Sequence, residues 1–469
     1  MQGRKSSILP YLKIYGQRKM ERNLTTGSVL KNIVYFSLPY MLSYFLQTLY
    51  GMADLFIIGQ FNTTASITAV SIGSQVMHML TVMIVGLAMG ATVTIGRAVG
   101  AKKHETAARL AGNTVTLFML GSLAVTAVLL ILVKPIVFAM STPAEAVEGT
   151  IAYLSICFAG IPFITAYNII SSIFRGLGDT KSPMYFIAIA CVCNIGLDYL
   201  LIGVLGMGPA GAALGTTLSQ TISVITAFTV ISKRKTGLIF QKSCFRLQRK
   251  TVGAIFKIGV PIAIQDGFVQ IAFIIITIIA NRRGLNDAAA VGIVEKVIGI
   301  LFLVPSSMLS AVSALAAQNI GAAQYRRARL TLRYAIAITA GFGIAAATAA
   351  QWMAPQIVGL FDDNAGVIHL GSQYLRGYVW DCIFAGIHFC FSGYFCALEK
   401  SGISFLHNFL SIVLVRIPVS YVASSLFKDT LFPMGLAAPL GSFLSVIICV
   451  IAYRIIARHQ NQTTEEPHE

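Results

Sequence analysis

The sequence predicts an all-α membrane protein with twelve transmembrane helices arranged as two six-helix lobes. Hydrophobic residues make up 56% of the 469 residues and charged residues only 11%, whereas soluble domains carry about 25% charged residues. The apolar residues are gathered into runs that reach or exceed the roughly 20 residues needed to cross a bilayer core. These runs lie near 32–59, 66–92, 108–133, 147–173, 183–205, 209–232, 253–280, 288–316, 328–353, 365–395, 402–426 and 433–456.

The basic residues lie in short blocks between the apolar runs. The net charge of +17 would suit nucleic acid only if the Lys and Arg residues formed one surface patch, so we expect no nucleic-acid partner. If the N-terminus lies inside the cell, most basic residues fall in inside loops, among them the dense block Lys233–Lys257. This bias predicts a multi-pass membrane protein with both termini in the cytoplasm.

The dense basic block divides the chain into two similar halves. A constant shift of 221 residues places Gly100 on Gly321 and Phe174 on Phe395, which indicates a duplicated six-helix unit. Because six is even, the copies have the same orientation and are related by a pseudo-two-fold axis along the membrane normal. Such lobes are typical of transporters. We predict a basic tail at 1–31, a first lobe at 32–232, a linker at 233–250, a second lobe at 251–458 and a final tail at 459–469.

Two acids and an amide interrupt the apolar runs of the first half. Asp54 is the one formal charge in the first run, and a charge at the bilayer centre costs about 2.5–3.5 kcal/mol on insertion scales. Asn194 and Asp198 are four residues apart, so they share one face of a helix. Their oxygens suit an alkali cation, and Thr216 and Thr217 in the next run offer further oxygens. The alternative is a hydrogen-bond network that only joins helices.

Two further features of the first half concern moving parts. Pro39 removes a backbone hydrogen bond in the first run, which predicts either a static kink or a bend that changes during function. The loop after the fourth run reads FRGLGDTKSPM. Its glycines turn the chain, and we expect Arg175, Asp179 and Lys181 to lock a cytoplasmic gate.

In the second half, four charged residues within the apolar runs are candidates for contacts with substrate or with a second ion. Neighbouring residues on a helix point about 100° apart, so the pair Glu295–Lys296 fits either a membrane edge or a cleft-facing lysine. The candidates are Asp266, Lys296, Asp381 and Arg416.

Several stretches resemble the MATE (multidrug and toxic compound extrusion) family. They are Gly86–Arg109, Phe174–Met184 and the pairing of Asn194 with Asp198. The second half repeats the first two stretches as AAQNIGAAQYRRAR and FCALEKSGIS. The resemblance covers almost the whole chain beyond the first tail.

The resemblance implies export across the bacterial cytoplasmic membrane by alternating access, coupled to the entry of Na⁺ or H⁺. The interval from Pro39 to Asp54 is similar to that of the DNA-damage-inducible-like and related bacterial branches, in which a bend responds to protonation of the acid. Asp54, Asn194, Asp198 and Thr216 match the family's cation site, and the first three would hold Na⁺ if Na⁺ rather than H⁺ is the coupling ion. The implied substrates are amphipathic organic cations. We expect the protein to contact membrane lipid and to function as a monomer. We expect no cofactor other than the coupling ion.

Other functions share parts of this pattern. A flippase for lipid-linked oligosaccharides, or an exporter of a narrow range of metabolites, has the same superfamily architecture. A flippase needs a cationic cleft, for which Lys296 and Arg416 are the candidates. A membrane-embedded enzyme needs clustered His and acidic ligands, and the sequence has no H-E-x-x-H motif. No ATP-binding motif is present, so we predict a transporter driven by an ion gradient rather than an enzyme.

Overall fold

The structure is a computed structural model that describes residues 23–233 and 241–465, with side chains up to residue 458. The rest of the predicted tails and linker (1–22, 234–240 and 466–469) lies outside the described residues. The described part contains twelve helices that are long and apolar enough to cross a membrane, and no strand. The predicted fold class is thereby confirmed. The helices are α1 (Val29–Phe61), α2 (Thr64–Gly100), α3 (His104–Ala139), α4 (Ala144–Gly176), α5 (Lys181–Val204), α6 (Gly208–Lys233), α7 (Arg249–Asn281), α8 (Leu285–Gly321), α9 (Tyr325–Gly359), α10 (Ala365–Ala397), α11 (Ser401–Leu426) and α12 (Phe432–Arg458).

The helices extend beyond the apolar runs from which they were predicted. α2 ends at Gly100 instead of residue 92, and α3 begins at His104 instead of residue 108. Apolar composition marks only the length that matches the bilayer core, whereas the backbone hydrogen bonds of a helix continue into its polar ends. The predicted limits are therefore those of the apolar segment and not of the helix.

The first of two compact units contains residues 23–26, the described residues of Leu38–Ile255, and Gly321–Ala323. α4 is the most buried spanning helix of this unit and packs against α2, α3 and α6. Close packing depends on glycine: a Cβ atom built on Gly160 of α4 would lie 2.6 Å from the Thr217 side chain of α6. Because Gly160 has no side chain, α6 lies close against α4 at Thr217. This close approach also sets the position of the neighbouring Thr216.

The second unit contains Gly27–Ser37, Phe256–Ile320 and the described residues from Gln324 onward. Its most buried helix is α10, which contacts α8, α9 and α12. A Cβ atom on Gly343 of α9 would lie 2.8 Å from the Ile383 backbone of α10, so these two helices also depend on glycine for close packing. α1 contributes to both units.

Two helices carry π-helical turns next to residues predicted to be functional. In α5 the turn Tyr199–Val204 directly follows Asp198. In α11 the turn Ile412–Arg416 ends on Arg416 itself. Single π turns inside α-helices are frequent at functional sites, because they shift the following side chains around the helix axis.

Candidate cation site

The structure brings the four residues predicted for cation coupling into one pocket of the first unit. Asp54 comes from α1, Asn194 and Asp198 from α5, and Thr216 from α6. Thr216 Oγ1 donates a hydrogen bond of 3.1 Å to Asp54 Oδ2. The Asn194 and Asp198 side chains lie at interaction distance from the same carboxyl group. Asn194 and Asp198 are fully buried and Asp54 is 4% exposed, so two carboxyl groups lie side by side away from water.

Most polar atoms of this pocket have no hydrogen-bond partner among the described residues. They are Asp54 Oδ1, both carboxyl oxygens of Asp198 and both side-chain amide atoms of Asn194. Within the described part of the chain, neither acid forms an ion pair with Lys or Arg. Buried polar groups without partners are rare in folded proteins, and adjacent carboxylates oppose each other's ionisation. A shared proton or a bound cation would relieve both conditions.

The acceptor atoms of the pocket suit a small, hard cation. The two carboxyl groups, the Asn194 amide and the Thr216 hydroxyl all offer oxygen, the ligand that hard cations take. The same pair of carboxyl groups also suits a proton, which one group would donate to the other as a hydrogen bond. The donor set of the pocket therefore fits either a proton or a single small cation.

Gly215 of α6 makes room for the acids. A Cβ atom built on Gly215 would lie 2.1 Å from Asp198 Oδ1 and 3.7 Å from Asn194 Nδ2. Sequence reasoning missed this residue, although its position directly before Thr216 was a usable signal. Any residue with a side chain at this position must displace the Asp198 carboxyl group.

A second polar layer lies one helical turn from the pocket. Gln220 Nε2 donates a long hydrogen bond of 3.5 Å to Tyr50 Oη, and Tyr50 interacts electrostatically with Asp54. Tyr50 precedes Asp54 by four residues and Gln220 follows Thr216 by four, so each shares a helix face with its site residue. Sequence reasoning missed both residues, and this spacing was the signal that would have found them.

Pro39 lies on α1 together with Asp54. α1 runs through Pro39 as one helix, and a bend at this position remains a prediction. The helix passes from the second unit to the first at Leu38, directly before Pro39. Next to Pro39, the ring of Tyr40 lies 5.3 Å from the buried guanidinium of Arg175, which is a cation–π contact.

Arg175 near the end of α4, Asp179 in the following loop and Lys181 at the start of α5 are close together in the chain. The Asp179 carboxylate, however, already accepts hydrogen bonds from its neighbours. Its carboxylate accepts hydrogen bonds from the backbone N–H groups of Lys181 at 2.9 Å and of Ser182 at 3.1 Å. These bonds satisfy free N–H groups at the start of α5, which is the role of a capping residue. A gate formed by the three predicted residues remains a prediction.

Asp381 and Arg416, two of the four candidates in the second half, meet in a buried cluster of the second unit. The Arg416 guanidinium donates a hydrogen bond to Tyr378 Oη and lies 4.6 Å from the centroid of the Phe273 ring. Asp381 and Glu295 both interact electrostatically with Arg416. Asp381 is 1% exposed and Arg416 is 9% exposed. The negative charges of two acids thus act on one buried guanidinium.

The other two candidates lie apart from this cluster. Lys296 is exposed, whereas its neighbour Glu295 faces Arg416. The rotation of about 100° between neighbouring helical residues explains why only one of the pair points inward. Asp266 is half-buried beside Gln265.

Replacement of Arg416 by leucine is expected to destabilise the second unit. The change removes the hydrogen bond to Tyr378 Oη and the positive charge that acts on Glu295 and Asp381, and loss of a hydrogen bond to a charged group costs about 1.5–3 kcal/mol. We expect a lower thermal unfolding temperature in detergent, with part of the loss recovered in Arg416→Leu/Asp381→Asn. Lys296→Leu, which changes an exposed cation on the same unit, is the control. If the Arg416→Leu protein unfolds at the wild-type temperature, Arg416 does not stabilise the second unit.

The fold and the pocket define a class of protein, a polytopic membrane transporter with ionisable groups buried among its spanning helices. The chain belongs to the MatE family, whose model matches residues 39–200 and again residues 261–422. The two matches begin at Pro39 and Pro261, which correspond to each other in the predicted duplication with a slip of one residue. The predicted family membership is confirmed.

Relatives and solved structures agree with this membership. The chain is 25% identical over 446 residues to the probable multidrug resistance protein YoeA of Bacillus subtilis, covering 93% of this chain and 96% of the relative. It is 28% identical over 424 residues to the probable multidrug resistance protein YpnP of the same species, covering 90% and 94%. Its fold is similar to that of a multidrug resistance MATE family transporter solved in an outward-facing conformation. That match has a TM-score of 0.88 and 22% identity, and covers 94% of this chain and 98% of the other. The chain is a transporter and not an enzyme, as predicted.

Proposed function

We propose that this transporter exports amphipathic organic cations in exchange for Na⁺ or H⁺, as a monomer in the bacterial cytoplasmic membrane with both termini in the cytoplasm. The observation that carries the proposal is the pair of adjacent, buried carboxyl groups of Asp54 and Asp198. Neither has a basic partner among the described residues. The entering ion offsets one of the two negative charges of this pair. Coupling then requires that the ion bind one conformation of the protein more tightly than the other.

α1 offers a physical route from the ion to a conformational change. Asp54 and Pro39 lie on the same helix, about four turns apart. Neutralisation of Asp54 removes the repulsion from Asp198 and strengthens the pocket, which favours one position of the end of α1 that carries Asp54. Since Pro39 leaves the carbonyl one turn earlier without its usual backbone donor, the helix bends there more easily than elsewhere. Pro39 is therefore the proposed hinge.

Three observations support organic cations as substrates. Both relatives described above are named multidrug resistance proteins. The rings of Tyr40 and Tyr44 on α1 lie 6.1 Å apart, and aromatic faces attract organic cations. The Asp54–Asp198 pair contributes negative charge to the same unit. We propose that Arg175, which lies near Tyr40, forms the cytoplasmic gate together with Asp179 and Lys181. The loop that contains Asp179 joins α4 to α5, the helix that carries Asn194 and Asp198.

The second unit weighs against a flippase for lipid-linked phosphates. Such a flippase needs a cation that is available to phosphate. Arg416 is the buried cation predicted for that role, but Glu295 and Asp381 oppose its charge and Tyr378 accepts one of its hydrogen bonds. This cluster suits a contact with cationic substrate or with a second ion better than it suits an anion.

The test is ethidium efflux from proteoliposomes in which a Na⁺ gradient and a pH gradient are imposed separately. We expect one of the two gradients to drive efflux, and that gradient identifies the coupling ion. Vesicles without protein and vesicles without a gradient are the controls. If neither gradient drives the efflux of ethidium or of another organic cation, the proposed antiport is wrong and an exporter of a narrow metabolite class takes its place.

Thr216→Val is expected to weaken ion coupling without abolishing transport. Valine keeps the shape of threonine but removes the hydroxyl that donates to Asp54. A hydrogen bond to a charged group contributes about 1.5–3 kcal/mol, so the ion concentration for half-maximal efflux should rise roughly tenfold or more. Thr221→Val is the matched control, because the Thr221 hydroxyl bonds to the backbone carbonyl of Thr217. An equal shift in both variants would contradict the role of Thr216.

A further inference from the structure

The described part of the linker is fastened to the first unit. Asn113 of α3 is fully buried, and its Nδ2 donates to the backbone carbonyls of Cys244 at 2.9 Å and Arg246 at 3.1 Å. Its Oδ1 accepts from the Gln248 backbone N–H at 2.8 Å. The Cys244 side chain is buried in the core of the same unit. This segment therefore holds a fixed position against α3.

An apolar groove of about 550 Å³ begins beside this segment. It lies among α3, α4 and α6, and Phe245 of the linker forms part of its wall. Along α4 it extends from Pro162 to Leu177, which is about 20 Å of helix and exceeds half of a hydrocarbon core roughly 30 Å thick. All of its lining residues are apolar, and it shares none of them with the Asp54 pocket.

The linker beside the groove is strongly basic and partly apolar. Residues 241–250 contain four basic residues and no acid. Among these residues, Phe245 is 41% exposed and Leu247 is 43% exposed. Exposed basic and apolar residues side by side are typical of segments that lie on an anionic membrane surface. The basic residues are Lys242, Arg246, Arg249 and Lys250, all of them exposed.

We propose that the linker and the groove together bind one anionic phospholipid of the membrane. The basic side chains take the headgroup phosphate, and one acyl chain lies in the groove along α4. The charge of the linker favours an anionic ligand. An exported organic cation would be repelled by the basic linker, and the groove offers it no polar group. Since Asn113 fixes the linker above the groove, the headgroup and chain contacts are made at a defined spacing.

The test measures lipid binding to the purified, delipidated full-length protein by native mass spectrometry. Phosphatidylglycerol and phosphatidylcholine with identical chains are the probes. We expect wild type to bind phosphatidylglycerol about tenfold or more tightly than phosphatidylcholine. Arg246→Gln/Arg249→Gln/Lys250→Gln should lose this preference. Ala166→Phe, which fills the groove, should weaken the binding of both lipids.

Two control variants separate this site from general lipid contact. Lys102→Gln/Lys103→Gln removes exposed charge from another loop, and Val128→Phe enlarges an exposed apolar residue of α3 outside the groove. Both should bind phosphatidylglycerol like wild type, and every variant should keep the wild-type unfolding temperature. Equal binding of the two lipids to wild type would overturn the proposal. Displacement of phosphatidylglycerol from the groove by ethidium would overturn it as well.

Discussion

Asp54→Asn should abolish gradient-driven efflux while leaving the protein folded. Asparagine has nearly the same shape as aspartate, but it cannot be ionised and removes one of the two charges that attract the coupling ion. Removal of one partner of a buried pair of opposite charges, here the Asp54 carboxylate and the bound ion, costs about 2–5 kcal/mol, which corresponds to a loss of roughly thirtyfold or more in ion affinity. The measurement is the initial rate of ethidium efflux at a fixed gradient.

The matched control for this variant is Asp363→Asn, which neutralises an exposed acid. The unfolding temperature of Asp54→Asn should equal or exceed that of wild type, because the change removes repulsion between neighbouring carboxylates. Efflux that follows the gradient in Asp54→Asn as it does in wild type would place the coupling ion elsewhere. The acids of the second unit, Asp381 and Glu295, would then be examined next.

Gly215→Ala should disable the same pocket without changing any polar atom. The new Cβ atom would lie 2.1 Å from Asp198 Oδ1, so the carboxyl group must rotate away or α6 must move from α5. Either movement separates Asp198 from Asp54 and should lower ion affinity about tenfold or more, since site geometry must be held within about 0.5 Å. The measurement is the ion concentration that gives half-maximal efflux.

Gly196→Ala on α5 is the control, because a Cβ atom there would have no heavy atom within 4 Å. The two variants add the same methyl group to neighbouring helices of one unit. A loss of coupling in both would indicate a general effect of alanine in these helices. A loss in Gly215→Ala alone would show that the contact with Asp198 matters.

The number and approximate place of the spanning helices followed from apolar composition because bilayer thickness imposes a minimum length on each run. Asn194 and Asp198 share a helix face, and their spacing of four residues was enough to predict this. The meeting of Asp54 with Asp198 was a different kind of prediction. Spacing says nothing about which faces of α1 and α5 point at each other, and only the resemblance to the MATE family grouped the two acids.

Apart from Tyr50 and Gln220, the contacts that sequence reasoning missed are those decided by packing between helices. Gly215 matters because Asp198 lies against it, and Asn113 matters because the linker backbone lies across α3. Neither fact leaves a periodic signal in the sequence. The π-helical turns after Asp198 and before the end of α11 likewise have no propensity signature. In the Glu295–Lys296 pair, the sequence left open which residue points inward, and the fold directs the acid toward Arg416.

The role of the Asp54–Asp198 pocket is tested by the release of the coupling ion when substrate binds to the purified protein. Saturating ethidium should displace close to one Na⁺ or one proton per wild-type molecule, read with radioactive sodium or with a pH-indicator dye. Asp54→Asn and Asp198→Asn should release neither ion, whereas Asp363→Asn should release it like wild type. Full ion release from Asp54→Asn would show that the Asp54–Asp198 pocket does not hold the coupling ion.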